Sequence, residues 1–123
     1  MPRQDEAPPS PPRRQLIVTT GYEIAGHKIV RYLGIVRGIV VRAPNVGQKF
    51  LGGLKEVFGG NIESYANVCE QARADAYQRM RDYAKEKNAD AVIGMRYDAT
   101  EFAEGITEVL AYGTAVELDQ PVR

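Results

Sequence analysis

The chain has 123 residues, with 16 Lys and Arg balanced by 16 Asp and Glu, one His, one Cys and no Trp. That length supports one hydrophobic core, and a net charge of zero leaves no electrostatic footprint for nucleic acid or an anionic membrane. No apolar run approaches the roughly 20 residues of a membrane helix, no signal region opens the chain and one cysteine closes no internal disulfide, so a cytoplasmic protein without membrane or nucleic-acid partners is expected.

Residues 1–15, MPRQDEAPPSPPRRQ, hold five of the seven prolines and almost no apolar side chain. Such a segment cannot bury enough surface to offset its ordering entropy, so a disordered tail is expected. Its PPSPPRR stretch has the form of a polyproline ligand with basic flanks, a candidate partner site. LIVTT, Leu16 to Thr20, is a β-branched run and reads as a strand. GYEIAGH follows with glycines at 21 and 26, and the hairpin character of Ala25 to Lys28 leaves His27 exposed in a turn. Lys28 to Arg42 reads as a long strand, bent or bulged at Gly34 and Gly38, and Pro44 ends it.

Val46, Phe50, Leu51, Leu54, Val57 and Phe58 recur at helical spacing, although Gly47, Gly52 and Gly53 each cost about 1 kcal/mol against Ala. A short helix this apolar needs a neighbour, which makes Val46, Phe50, Leu51, Leu54 and Phe58 candidate oligomer contacts. A longer amphipathic helix is expected from Ile62 to Lys87, with Asn61 as its N-cap. Its stripe runs through Tyr65, Val68, Cys69, Ala72, Ala76, Met80, Tyr83 and Ala84. Ala91 to Asp98 and Glu108 to Leu118 alternate as two strands joined by a nine-residue loop, and residues 120–123 form a short C-terminal tail. The order β-β-α-α-β-β, one short and one long helix on an antiparallel sheet, is an α+β fold.

Four stretches, VTTGYEIAGHKIVRYLGIVRGIVV, GGNIESYANVCEQARADAYQRM, NADAVIGMRYD and EVLAYGTAV, resemble the YbjQ-like family, to which heavy-metal binding is ascribed without an established function. The resemblance covers roughly Leu16 to Leu118 and frames a domain at residues 16–119. It departs at Asn88 and Asp90, where the family more often reads Gly-Ala-Asn; Asn accepts the left-handed helix-ending conformation nearly as well as Gly. The resemblance implies a dodecin-like subunit that assembles with itself into a ring, a homopentamer, and a soft divalent metal as the ligand.

For such a metal the chain offers one thiol, Cys69, and one imidazole, His27, with no CxxC, CxxxH or His pair. Cys69 reads first as a packing residue of the helix stripe. The alternative is a metal ligand acting with His27 or carboxylates at a subunit interface. A nucleophilic thiol would need an activating base, and none is placed beside it. Asp98, Glu101, Glu104 and Glu108 gather around the last loop, where they read as solvated acids before a cation site. GGLKEVFGG lacks the ending of a phosphate loop. Arg31, Arg37 and Arg42 make a basic strip that reads as an interface feature. No catalytic pair is visible, so a non-enzymatic, ring-forming binding or structural protein is expected.

Overall fold

The computed structural model describes residues 15–42 and 62–122, with side chains from residue 69 onward in the second stretch. Strand β1 is Ile17–Val18 and β2 is Ile29–Arg42; helix α1 is Ile62–Glu86; β3 is Ala91–Ala103 and β4 is Ile106–Leu118. The expected short helix with Val46, Phe50, Leu51, Leu54 and Phe58, and residues 1–14 of the tail expected at 1–15, lie outside the described residues.

The four strands form one sheet in the order β1-β3-β4-β2. The sheet is mixed where an antiparallel one was expected, because β1 pairs parallel to β3, Ile17 opposite Ala91 and Val18 opposite Val92. Long hairpin pairing joins β3 to β4, and β2 runs antiparallel along the other side of β4. The expected nine-residue loop is absent: the ladder continues to Ala103 opposite Ile106, and only Glu104 and Gly105 turn the chain. Gly105 takes φ 71 there, and its N–H donates to Glu101 Oε1 at 3.2 Å. The bend foreseen in the long strand is present, as register shifts between Ile29 and Arg31 and between Tyr32 and Gly34, where Gly34 has φ 101.

One sheet face is built of small residues. Strand alternation turns Val109, Ala111, Gly113 and Ala115 of β4 and Val36, Gly38 and Val40 of β2 toward α1. The helix answers with Ala72, Ala76, Met80 and Ala84, all buried and spaced four apart. Small against small lets helix and sheet approach closely, and Met80, wholly buried, supplies the bulk. Arg79 Nη1 donates to Ile39 O at 2.6 Å and Lys87 Nζ to Leu33 O at 2.9 Å, so α1 runs antiparallel to β2.

The helix ends in a Schellman motif. The Ala89 N–H donates to Ala84 O and the Asn88 N–H to Lys85 O, with Asn88 at φ 58. Ala84 and Ala89 then meet in the core, the apolar contact that accompanies this cap. Asp90, 2% exposed, follows at once. Its carboxylate Oδ2 accepts the Leu118 N–H at 2.9 Å, its N–H donates to Val116 O, and its carbonyl accepts from Ile17 N–H. One residue therefore stitches β1, β3 and β4 together at the end of the sheet where the helix finishes.

On the opposite sheet face at that end, Ile24 covers Ala91, Ile93, Val116 and Leu118, and Val122 packs against the same group. Farther along, the face is uncovered by described residues: Ile35, Arg37 and Val41 of β2 are exposed, with Leu110 and Tyr112 partly so. No helix among the described residues is long and apolar enough to cross a membrane.

Candidate functional site

The segment between β1 and β2 builds a cleft. Ile24 to His27 form a turn closed by the His27 N–H donating to Ile24 O at 3.1 Å, with Gly26 at φ 80. That positive φ at the third position belongs to a type II turn and is the reason glycine stands there. Before the turn, Thr19 and Gly21 follow β3 closely: Met95 N–H donates to Thr19 O and Gly94 N–H to Gly21 O. Gly94 lets Tyr22 lie against the strand, since a Cβ at Gly94 would fall 2.9 Å from the tyrosine ring.

Tyr22 and Tyr32 line an open cleft of about 910 Å³ together with Glu23 and the Ile24–Ile29 segment, His27 and Lys28 included. Each tyrosine is 69% exposed, so neither is committed to the core. Arg96 backs Tyr22 without lining the cleft. Its guanidinium stands 5.8 Å from the ring centroid, Nη2 donates to the Tyr22 hydroxyl at 3.3 Å, and Nη1 is anchored on the carbonyls of Thr20 and Met95.

His27 is more enclosed than a free turn residue. Its Nδ1 is buried 3.4 Å from Asp119 Oδ1, across the junction where the Asp119 N–H donates to Lys28 O. At that distance the contact is longer than a well-formed hydrogen bond, with the carboxylate facing the ring nitrogen. The Asp119 carboxyl is held below the usual carboxylate range, first by the Lys28 backbone N–H, with the Gln120 N–H and His27 adding to it and burial opposing. A lowered folded-state value means that ionised Asp119 favours the folded form above its unfolded value, and the gain disappears as pH falls through the folded one. Asp119→Asn is therefore expected to lower the melting temperature at neutral pH. As pH falls through the ordinary carboxylate range and then through the lowered folded-state value, the difference from wild type should shrink and close, as a pair of thermal melts would record.

The sequence-derived metal pair is not assembled within one chain. His27 precedes β2, whereas Cys69 lies on α1 about 27 Å of helix away from Lys87, which itself sits beside Leu33. The two are at opposite ends of the sheet. Cys69 is exposed rather than part of the core stripe. Among the described residues no group of three or more His, Cys, Asp or Glu side chains is gathered for a metal ion. Asp98, Glu101 and Glu108 stand on the outer half of the hairpin strands with Glu104 in its turn, not in a loop.

Tyr22, Tyr32, Arg96 and Asp119 were not singled out by sequence. The His27–Asp119 contact follows from the β2–β4 register, which sets Ile29 opposite Leu118, and a correct strand order would have revealed it.

Comparison with known proteins places these features in context. The family model YbjQ_1, described as "Putative heavy-metal-binding", matches residues 16–119. UPF0145 proteins of Burkholderia mallei (strain SAVP1) and Burkholderia pseudomallei (strain 668) are each 52% identical over 101 residues, 82% of this chain and 91% of theirs. A crystal structure of a protein of unknown function of the DUF74 family, from Pediococcus pentosaceus ATCC 25745, matches with a TM-score of 0.54 at 21% identity. That match covers 85% of this chain and 98% of the other, and it speaks to the fold alone.

Proposed function

The chain belongs to the YbjQ_1 family, and from that premise we propose that it is a non-catalytic binding protein whose copies join head to tail into a ring. The observation that carries this reading is a pair of unlike sheet edges. β2 is an outer strand of 14 residues on which Val30, Tyr32, Ile35 and Val41 are 51–69% exposed. A long apolar edge of this kind is a liability unless something pairs with it. On the other side of the sheet, β1 and the segment after it accompany β3 only as far as Met95, so no described residue pairs with the edge from Arg96 to Ala103, where Tyr97 and Phe102 are exposed.

The edges also differ in charge. β2 carries Arg31, Arg37 and Arg42, and the outer hairpin carries Asp98, Glu101 and Glu104. Edge-to-edge pairing of unlike surfaces is heterologous, and it closes into a ring when the rotation between copies allows. Five copies is the number the family resemblance implies. The heavy-metal role in the family's description would have to draw Cys69 and His27 from different copies.

Arg37 is the residue to test. Arg31 pairs with Glu117 at 2.8 Å and Arg42 approaches Asp75 at 3.9 Å, whereas Arg37 joins no ion pair among the described residues. Arg37 opposite Tyr112 and Asp98 opposite Leu110 share the sheet face turned away from α1, so a continued sheet sets them on one side. Like charges juxtaposed at an interface cost several kcal/mol. Arg37→Glu is expected to break the assembly into smaller species, and mixing it with Asp98→Arg should restore larger ones. Unchanged assembly of both single variants would remove this interface.

A further inference from the structure

We infer that the cleft between Tyr22 and Tyr32 binds a small, flat aromatic acid that carries a hydroxyl or ring N–H. Each part of that description answers to a residue. Two tyrosines, each 69% exposed, line the same open cleft of about 910 Å³, within the size range of small-molecule sites. Exposed tyrosines give stacking surface at low conformational cost, because only two side-chain torsions need to be fixed. Tyr22 is already fixed, held against Gly94 and by the Arg96 guanidinium.

The acid group is assigned to Lys28, which lines the cleft beside Glu23; Arg96 stands behind the Tyr22 ring and Asp119 behind His27. A cation on one face of an aromatic ring also draws electron density toward itself, which favours an electron-rich or anionic ring on the other face. His27 selects the donor. In the neutral tautomer with its proton on the buried Nδ1, facing Asp119, Nε2 is the acceptor nitrogen of an imidazole that lines the cleft. An acceptor in that position rewards a ligand hydroxyl or N–H. All the lining residues belong to one chain; Tyr32 also stands on the β2 edge, so a ring formed there must leave that side chain open.

Calorimetric titration of the full-length protein with three probes tests this: 4-hydroxybenzoate, benzoate and cyclohexanecarboxylate. The expected order is 4-hydroxybenzoate tighter than benzoate, with no binding of the non-aromatic acid. Tyr22→Ala should weaken both aromatic acids about tenfold, the scale of one lost stacking contact. His27→Ala should abolish the preference for the hydroxyl while leaving benzoate within about twofold. Both replaced side chains lie outside the main core cluster, and thermal melts of the variants report whether the fold is kept. Equal binding of cyclohexanecarboxylate, wild-type affinity in Tyr22→Ala, or no heat with any probe would overturn the assignment. Light scattering on the same samples separates this outcome from the fate of the ring: a ring that binds none of the probes overturns the cleft alone, and a monomer that binds them overturns the ring alone.

Discussion

Gly38→Ala is expected to cost more than about 3 kcal/mol of folding stability, at the severe end for a single added methyl group. The reason is the close approach of α1 to β2. A Cβ at position 38 would overlap the carbonyl oxygen of Ala76 and lie 2.5 Å from the Met80 nitrogen and 2.8 Å from Arg79 Cβ. These are atoms of the helix backbone and its first side-chain carbon, and no rotamer change moves them aside. The helix would have to lift from the sheet along Ala72, Ala76, Met80 and Ala84, which opens the main core cluster. The sign makes the test sharp. A glycine within a strand that is replaced without a clash gains about 0.5–1 kcal/mol from reduced backbone entropy. Denaturant unfolding of wild type and variant therefore distinguishes a large loss from a small gain, and a stabilised variant would contradict the packing described.

The second large effect is expected at Asp90. Asp90→Ala removes the acceptor of the Leu118 N–H from a buried position. Hydrogen bonds to charged groups contribute about 1.5–3 kcal/mol, and a buried donor left without a partner adds its own desolvation cost. A loss of about 2–4 kcal/mol is expected on that basis. Asp90→Asn keeps a side-chain oxygen in reach of the same N–H and should lose clearly less. Hydrogen exchange at the Leu118 amide reads the contact directly: it should quicken in Asp90→Ala and stay nearer wild type in Asp90→Asn. A Leu118 amide equally protected in all three proteins would mean that the carboxylate does not hold the strand end.

The helix was the most legible element because its signals agree. Ala72, Ala76, Met80 and Ala84 repeat every four residues, and Asn88 supplies the left-handed end. Cys69 misled because periodicity gives direction and not reach. At 100° per residue it falls within the arc spanned by Ala72, Ala76, Met80 and Ala84, yet it is exposed, one turn before Ala72, where burial begins among the described side chains of the helix.

The long hairpin was hidden by weak local preference. Asp98 to Glu104 is rich in Ala, Asp and Glu, poor strand formers, and only pairing with β4 from Thr107 to Leu110 draws it into the ladder. The parallel position of β1 has no local signal, since strand order depends on which edge of β3 is vacant. The cleft was illegible for the same reason. His27, Asp119 and Arg96 are distant in sequence, and only the register of β2 on β4 and the path of residues 19–28 beside β3 bring them near one another.

Self-assembly through the two unlike edges is tested most directly by the solution mass of the full-length protein, measured by light scattering coupled to size exclusion. A single species at a whole-number multiple of the 13.6 kDa chain mass, five being the expected multiple, agrees with head-to-tail closure. A monodisperse 13.6 kDa particle, unchanged across protein concentration, would contradict it and leave the apolar edge of β2 exposed in a stable monomer.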